Sequence, residues 1–379
     1  MQAPPHGQDA APTAELVHQA LAALRDPSSS SAKSLVEAGL LHAVVDGVHA
    51  RVTLETGAND ETRTKLEAEV RRMIAAALPK LDKVDVVLRS QTGAREITSE
   101  DPLPGVKNLI LVMSGKGGVG KSTVAANLTM ALARQGMRVG LLDADIYGPS
   151  VPTMFGISGK PMSLDGKSIE PLERFGVKLM SIGFLLEDPK AAVVWRGPML
   201  HGALQQFLKD VNWGKLDYLL IDLPPGTGDV ALTLSQKARA TGAVVVTTPQ
   251  EVALIDVYKS VSMCQKLNIP ILGVVENESF FVCDGCSKKH AIFGVGGGAK
   301  VAEYAGAPLL AQIPIDPQAR LWGDQGTPVV QAAPSSTIAK SFVDLADAVQ
   351  VHVARLNAER LGTLAISREG MPMRLPIVR

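Results

Sequence analysis

Two lysines five residues apart share one glycine-rich run, V-M-S-G-K-G-G-V-G-K-S-T over residues 112–123. Gly115 through Ser122 matches G-x-x-x-x-G-K-[ST], the spacing of a phosphate-binding loop. Gly115, Gly117, Gly118 and Gly120, with Val119 between them, let backbone N–H groups turn inward around phosphate oxygens. The helix expected next adds its positive N-terminus. In such a loop Lys121 reaches the β- and γ-phosphates, Ser122 offers its hydroxyl to Mg²⁺, and Thr123 completes the nucleotide-binding stretch. Lys116 is surplus to that requirement. On the outer rim of the loop its flexible stem can point away from its own nucleotide, toward the phosphates of a second subunit. A cation supplied across an interface neutralises charge developing on the transferred phosphoryl group. The plainer reading is a solvated loop lysine.

Carboxylates follow at two further places. In D-Y-L-L-I-D-L-P-P-G-T-G-D (217–229), Asp222 comes after an apolar run, the Walker B arrangement that holds Mg²⁺ through water. The P-P-G-T-G-D loop has the composition of a switch, and Asp229 is placed to couple it to a partner subunit. L-L-D-A-D-I-Y-G-P-S (141–150) ends a strand-like run with Asp143 and Asp145, for which capping of the following turn is the plainer, lesser reading. Cys283 and Cys286 form a lone C-x-x-C. Two thiolates do not complete a tetrahedral zinc or iron–sulfur site, so redox use, zinc shared with His290 and chance all stay open. A two-fold axis through the loop would bring two copies together and give four thiolates, which suits a [4Fe–4S] cluster or a zinc ion. Cys264, on a helical face with Val261 and Leu267, reads as a packed, inert thiol.

These residues need a scaffold. Apolar runs of strand length recur at 108–114, 138–145, 217–225, 243–249 and 270–277, separated by helix-like stretches such as 121–135 and 251–267. Strands apolar on both faces alternating with helices predict an α/β fold, a mostly parallel sheet covered by helices on both faces. Ligands then sit at the carboxyl ends of the strands, where the motifs fall. Ahead of it, helical periodicity over 13–24 and 60–78 and alternation over 48–54 and 84–88 predict a small α+β domain. The expected organisation is a disordered 1–12, the small domain over 13–89, a linker over 90–106, the ATPase domain over 107–357 ending in a surface helix, and a tail over 358–379.

K-G-G-V-G-K-S-T resembles the deviant Walker A motif of the MinD/ParA/nitrogenase-iron-protein class of dimerising P-loop ATPases. That resemblance implies that Lys116 acts across a nucleotide-sandwich dimer. It also implies that Asp143 sits near the magnesium water shell, that Asp145 orients or activates the attacking water, and that Asn277 recognises the adenine edge. R-G-P-M-L-H-G-A-L-Q-Q-F-L (196–208), the Walker B run, the C-x-x-C and F-G-V-G-G-G (293–298) narrow the match. Together they resemble the Mrp/ApbC family of iron–sulfur cluster carrier ATPases over about 105–345. Residues 13–90 resemble, more weakly, the small domain of cytosolic iron–sulfur assembly factors, although no cysteine lies there. The family commonly reads E-N-M-S where this chain has E-N-E-S (276–279), and Glu278 brings a negative charge near the thiolates.

The resemblance implies slow ATP hydrolysis and a homodimer bridging a [4Fe–4S] cluster through Cys283 and Cys286 of each subunit, with zinc as the alternative occupant. Apo iron–sulfur proteins and cluster-assembly factors would be its partners. Lysine plus arginine equals aspartate plus glutamate, 38 each, and aromatics are 4% of residues, so neither nucleic acid nor an anionic membrane is an expected partner. A positioning or partitioning ATPase of the MinD/ParA kind is the main alternative. A reductase like nitrogenase iron protein ranks below it, since that protein's ligands are single, separated cysteines. No apolar run approaches the roughly 20 residues of a membrane helix, and the N-terminus lacks a signal-peptide pattern. With three cysteines in 379 residues, a reducing cytoplasmic setting is expected.

Overall fold

The computed structural model describes residues 12–25, 34–37, 41–55, 60–89, 101–145, 148–163, 166, 168–185, 197–226, 228–283 and 285–368. The expectations for 1–11, 90–100 and 369–379 lie outside the described residues. The chain divides into two compact units, Met1–Thr92 with Arg134–Arg138, and Gly93–Ala133 with Val139–Arg379. No helix among the described residues is long and apolar enough to cross a membrane.

In the first unit α1 (Ala14–Ala20) begins at Thr13, whose hydroxyl accepts the Leu16 N–H at 3.3 Å. β1 (Leu41–Asp46) and β2 (His49–Glu55) form an antiparallel hairpin through Gly47 and Val48. The glycine takes φ 60°, which its missing Cβ permits at no steric cost. α2 (Asp60–Ala77) crosses over to β3 (Lys83–Arg89), which pairs parallel with β2. Val17, Leu21, Val52, Leu54, Val70 and Ile74 make its core. β1 was not expected, because Val44 interrupts the apolar–polar alternation of L-H-A-V-V-D.

The second unit is built on an eight-stranded sheet. Its elements are β4 (Val106–Ser114), α3 (Lys121–Arg134), β5 (Val139–Asp143), α4 (Val151–Met154), β6 (Leu172–Arg174), β7 (Val177–Ser181), α5 (Gly197–Lys209) and β8 (Leu216–Asp222). After these come α6 (Gly228–Lys237), β9 (Gly242–Thr247), α7 (Glu251–Lys266), β10 (Ile271–Glu276), β11 (Phe281–Val282), β12 (Lys289–His290) and α8 (Gly297–Ala305). β13 (Leu309–Gln312), α9 (Pro317–Asp324), α10 (Val329–Ala332) and α11 (Thr337–Arg368) complete it. The order is β13-β10-β9-β4-β8-β5-β7-β6, parallel throughout except the β6–β7 pair. Every residue of β5, β8 and β9 is buried. Successive strand side chains point to opposite faces, so both faces of the sheet are covered.

The five expected strands are all present. β6, β7 and β13 were missed: β6 is a three-residue, largely exposed edge strand, and β13 has no fully buried residue. α11 does not lie loosely on the surface. It buries Phe342, Leu345, Ala346, Val349 and Val353, and Asn357 Nδ2 donates to Asn108 Oδ1 of β4 at 2.9 Å. It runs through residue 357 to Arg368.

Candidate functional site

Sheet register brings the chemistry together. Asp222 ends β8, which lies between β4 and β5; it pairs with Val112 on one side and Asp143 on the other. The loop after β4 therefore rises directly beside two carboxylates. In that loop Gly118 and Gly120 have φ 80° and 75°, the left-handed region that favours glycine. A Cβ on Gly120 would lie 2.2 Å from Asn277 Nδ2 and would have to push that amide aside. The Asn277 amide donates to Val119 O at 3.0 Å and so fastens the end of β10 to the loop.

Lys121 opens α3 with only 6% of its side chain exposed. Its Nζ lies 2.5 Å from Asp222 Oδ1, 3.3 Å from Ser122 Oγ and 3.7 Å from Asp145 Oδ2. Asp222 is fully buried, and its Oδ2 has no hydrogen-bond partner among the described residues. Burial pushes its carboxyl above the usual range, with the Lys121 ammonium opposing. Asp143 accepts hydrogen bonds from the Asp145 N–H at 3.1 Å, the Val151 N–H at 3.2 Å and the Ser181 hydroxyl at 3.0 Å. Burial first, and the nearby Asp222 second, push its carboxyl up to about 7. One buried lysine thus faces Asp222 and Asp145, with Asp143 next to Asp222 across the strand pair. A carboxylate oxygen buried without a donor, next to a serine hydroxyl, has the chemistry of a hard divalent cation site.

Lys116 is exposed, as its rim position predicted. Thr123 and Gly120 border a cavity of about 810 Å³ beside the loop, whose far wall is Ile313, Pro314 and Ile315 with Asn277 and Glu278. The sequence reading missed this wall. Its signal was the apolar run L-L-A-Q-I-P-I (309–315), one more strand end at the carboxyl edge of the sheet. Glu278, expected to bring a negative charge near the thiolates, is also among the residues that line this cavity. The Asp229 side chain lies outside what the structure describes.

The cysteines sit at the tip of the small β11–β12 hairpin. Within it Cys283 N–H donates to Lys288 O at 3.0 Å, and Ser287 N–H to Cys283 O at 2.8 Å. Cys283 is half-buried and Cys286 exposed. Among the described residues no three His, Cys, Asp or Glu side chains gather to hold a metal, so one chain does not assemble Cys283, Cys286 and His290 into a zinc site. The hairpin is not a free appendage. Glu276, fully buried, accepts from Ser279 Oγ at 2.5 Å, Gly298 N–H at 2.5 Å and Gln312 Nε2 at 2.8 Å. Ser279 N–H donates to Ile313 O, and Ile315 N–H to Phe280 O. Cys264 packs in α7, its Sγ 3.2 Å from Met113 Sδ, and burial pushes its thiol up to about 12.

Comparison with known families bears directly on this arrangement. The model of the NUBPL iron-transfer P-loop NTPases, of the ParA group, matches residues 105–350. The chain belongs to this family. An iron-sulfur cluster carrier protein of Deinococcus radiodurans is 42% identical over 365 residues, covering 95% of this chain and 98% of its own. One from Aquifex aeolicus is 53% identical over 260 residues, covering 67% and 71%. Among solved structures, a nucleotide-binding protein in complex with ADP from Archaeoglobus fulgidus is 43% identical. It superposes with a TM-score of 0.53, covering 61% of this chain and 92% of that one. The P-loop NTPase fold and the Mrp/ApbC-type resemblance are thereby borne out, and the chain is an ATP hydrolase.

Proposed function

We propose that this family member is an ATP-dependent iron–sulfur cluster carrier. The observation that carries the reading is the shared strand end: Asn277, which holds the phosphate loop, and Cys283 lie six residues apart on one hydrogen-bonded segment after β10. In this reading two chains meet across a two-fold axis and a [4Fe–4S] cluster, the cargo, bridges Cys283 and Cys286 of both, zinc being the competing occupant. The cluster passes to apo iron–sulfur proteins in the cytoplasm. Residues 13–89 act as a separate assembly-type module joined by 90–106.

Within each nucleotide site, Gly115, Gly117, Gly118, Val119 and Gly120 present backbone N–H groups to the phosphates, and Thr123 borders them. A triphosphate competes with Asp222 for Lys121, drawing the ammonium from the carboxylate to the β- and γ-oxygens. That exchange frees both oxygens of Asp222. Ser122 and Asp222, with Asp143 behind them, would hold Mg²⁺, which neutralises phosphate charge when bound. Asp145, 3.7 Å from Lys121, orients the attacking water. Lys116 of each chain reaches the γ-phosphate of the other. The base occupies the cavity against Asn277. Hydrolysis removes the γ-phosphate and loosens the dimer, releasing the cargo, and departure of ADP returns Lys121 to Asp222.

Anaerobic reconstitution tests this reading. The expected product is brown, with iron and sulfide near four each per dimer. Cys283→Ala with Cys286→Ala should lose the cluster while binding ATP as before. Retention of the cluster by that double variant overturns the ligand assignment.

A further inference from the structure

The base end of the 810 Å³ cavity carries a charged group that hydrolysis as described leaves idle. Glu278 follows Asn277 in the turn after β10, with φ 53°, a left-handed conformation uncommon for a residue with a side chain. Glu278 is one of the residues that line the cavity, and no hydrogen bond or ion pair engages its side chain among the described residues. Neighbouring charges are already matched: Arg320 pairs with Asp324 at 2.7 Å, and Asp316 Oδ1 accepts the Gln318 N–H at 2.8 Å to cap α9. Burial pushes the Glu278 carboxyl up, as expected of a carboxylate that lacks a donor.

The donors must then come from the ligand. Asn277 spends one amide N–H on Val119 O, which leaves its second N–H and its Oδ1. The Glu278 carboxylate, when ionised, is therefore the acceptor-only group beside Asn277. Guanine presents N1–H and N2–H side by side and can satisfy both oxygens of a carboxylate. Adenine presents only its N6 amino group, and the adjacent N1 lone pair meets the second oxygen unfavourably.

We propose that Glu278 reads the base edge and that this site takes guanosine triphosphate as well as adenosine triphosphate. The reaction is the same hydrolysis: water attacks the γ-phosphorus, the bond from the γ-phosphorus to the β–γ bridging oxygen breaks, and GDP and phosphate leave. The inference rests on the reading that this cavity holds the base.

The test is calorimetric titration of the full chain with ATP and with GTP, each with Mg²⁺, for wild type, Glu278→Gln and Ala319→Trp. Wild type should bind GTP within about fivefold of ATP. Glu278→Gln should weaken GTP by about tenfold or more, the value of a charge-assisted bidentate pair, and ATP by less than about threefold. Ala319→Trp, which fills the cavity from α9, should weaken both nucleotides alike. If the tryptophan acts on both but Glu278→Gln leaves the GTP-to-ATP ratio unchanged, Glu278 does not read the base. Should the tryptophan change neither affinity, the base lies elsewhere and both readings fall.

Discussion

The floor under the phosphate loop and the hairpin that bears Cys283 and Cys286 grow from one edge of one sheet, yet they are built in opposite ways. Lys121 is buried at the start of α3 and Asp143 and Asp222 at the ends of central strands, and the Lys121 and Asp222 charges answer one another within a single chain. The cysteines sit at the tip of two-residue strands, half-buried and exposed, with no third ligand gathered beside them among the described residues. Phosphate chemistry needs a dry, preorganised pocket, because fixed charges are worth more away from water. A cargo that must leave needs the reverse, an open site that is completed and undone by a partner. The Glu276 network joins the two regions without making them alike.

That contrast can be broken at Lys116. If the nucleotide site is complete in one chain for binding but not for turnover, Lys116→Ala should lower ATP hydrolysis by about 10³-fold. Nucleotide affinity should stay within about threefold. Equal loss of both would make Lys116 an ordinary phosphate ligand of its own chain.

Thiol accessibility sharpens the comparison next. Alkylation of the native protein with iodoacetamide at pH 8, read by mass spectrometry, should modify Cys283 and Cys286 at least about 10²-fold faster than Cys264, which burial shields. The Cys264 proton also has a stability consequence. It leaves the unfolded chain near 9.0 and the folded chain only near 12. The folded state therefore binds more protons in that window, and stability should fall as pH rises from 9 to 12. Cys264→Ala should remove that part of the slope in denaturant titrations.

The smallest expected effect lies in the link between the regions. Ser279→Ala deletes the hydroxyl that meets buried Glu276 at 2.5 Å, and should cost about 1.5–3 kcal/mol of stability. Chemical denaturation measures it. An unchanged midpoint would mean that the Gly298 and Gln312 donors suffice to hold the carboxylate.

Much of the scaffold is legible in the order of residues, for a physical reason. Residues buried on both faces of a parallel sheet must be apolar in succession, so β4, β5, β8, β9 and β10 announce themselves as apolar runs. The edge strands β6 and β13 do not, because each has a neighbour on one side only, and in β7 the run V-K-L-M-S is broken by Lys178. Lys121, Ser122 and Asp222 are legible for a different reason: a phosphate loop is a local backbone shape whose glycines and lysine must fall at set spacings. The cavity wall at Ile313–Ile315 is not, since it joins the loop only through the side-by-side order of β13, β10, β9 and β4.

By itself, then, the amino-acid sequence determined which local shapes the chain can make: the glycine turns, the buried strands, the helix that follows Gly120. Only the tertiary structure decided what stands next to what. It set Asp143 beside Asp222 through strand register, placed Glu278 on the lining of the cavity, and tied the cysteine hairpin to the loop through Glu276 and Asn277. Spacing along a chain governs backbone conformation over a few residues, whereas charge coupling depends on distances through space between segments far apart in sequence.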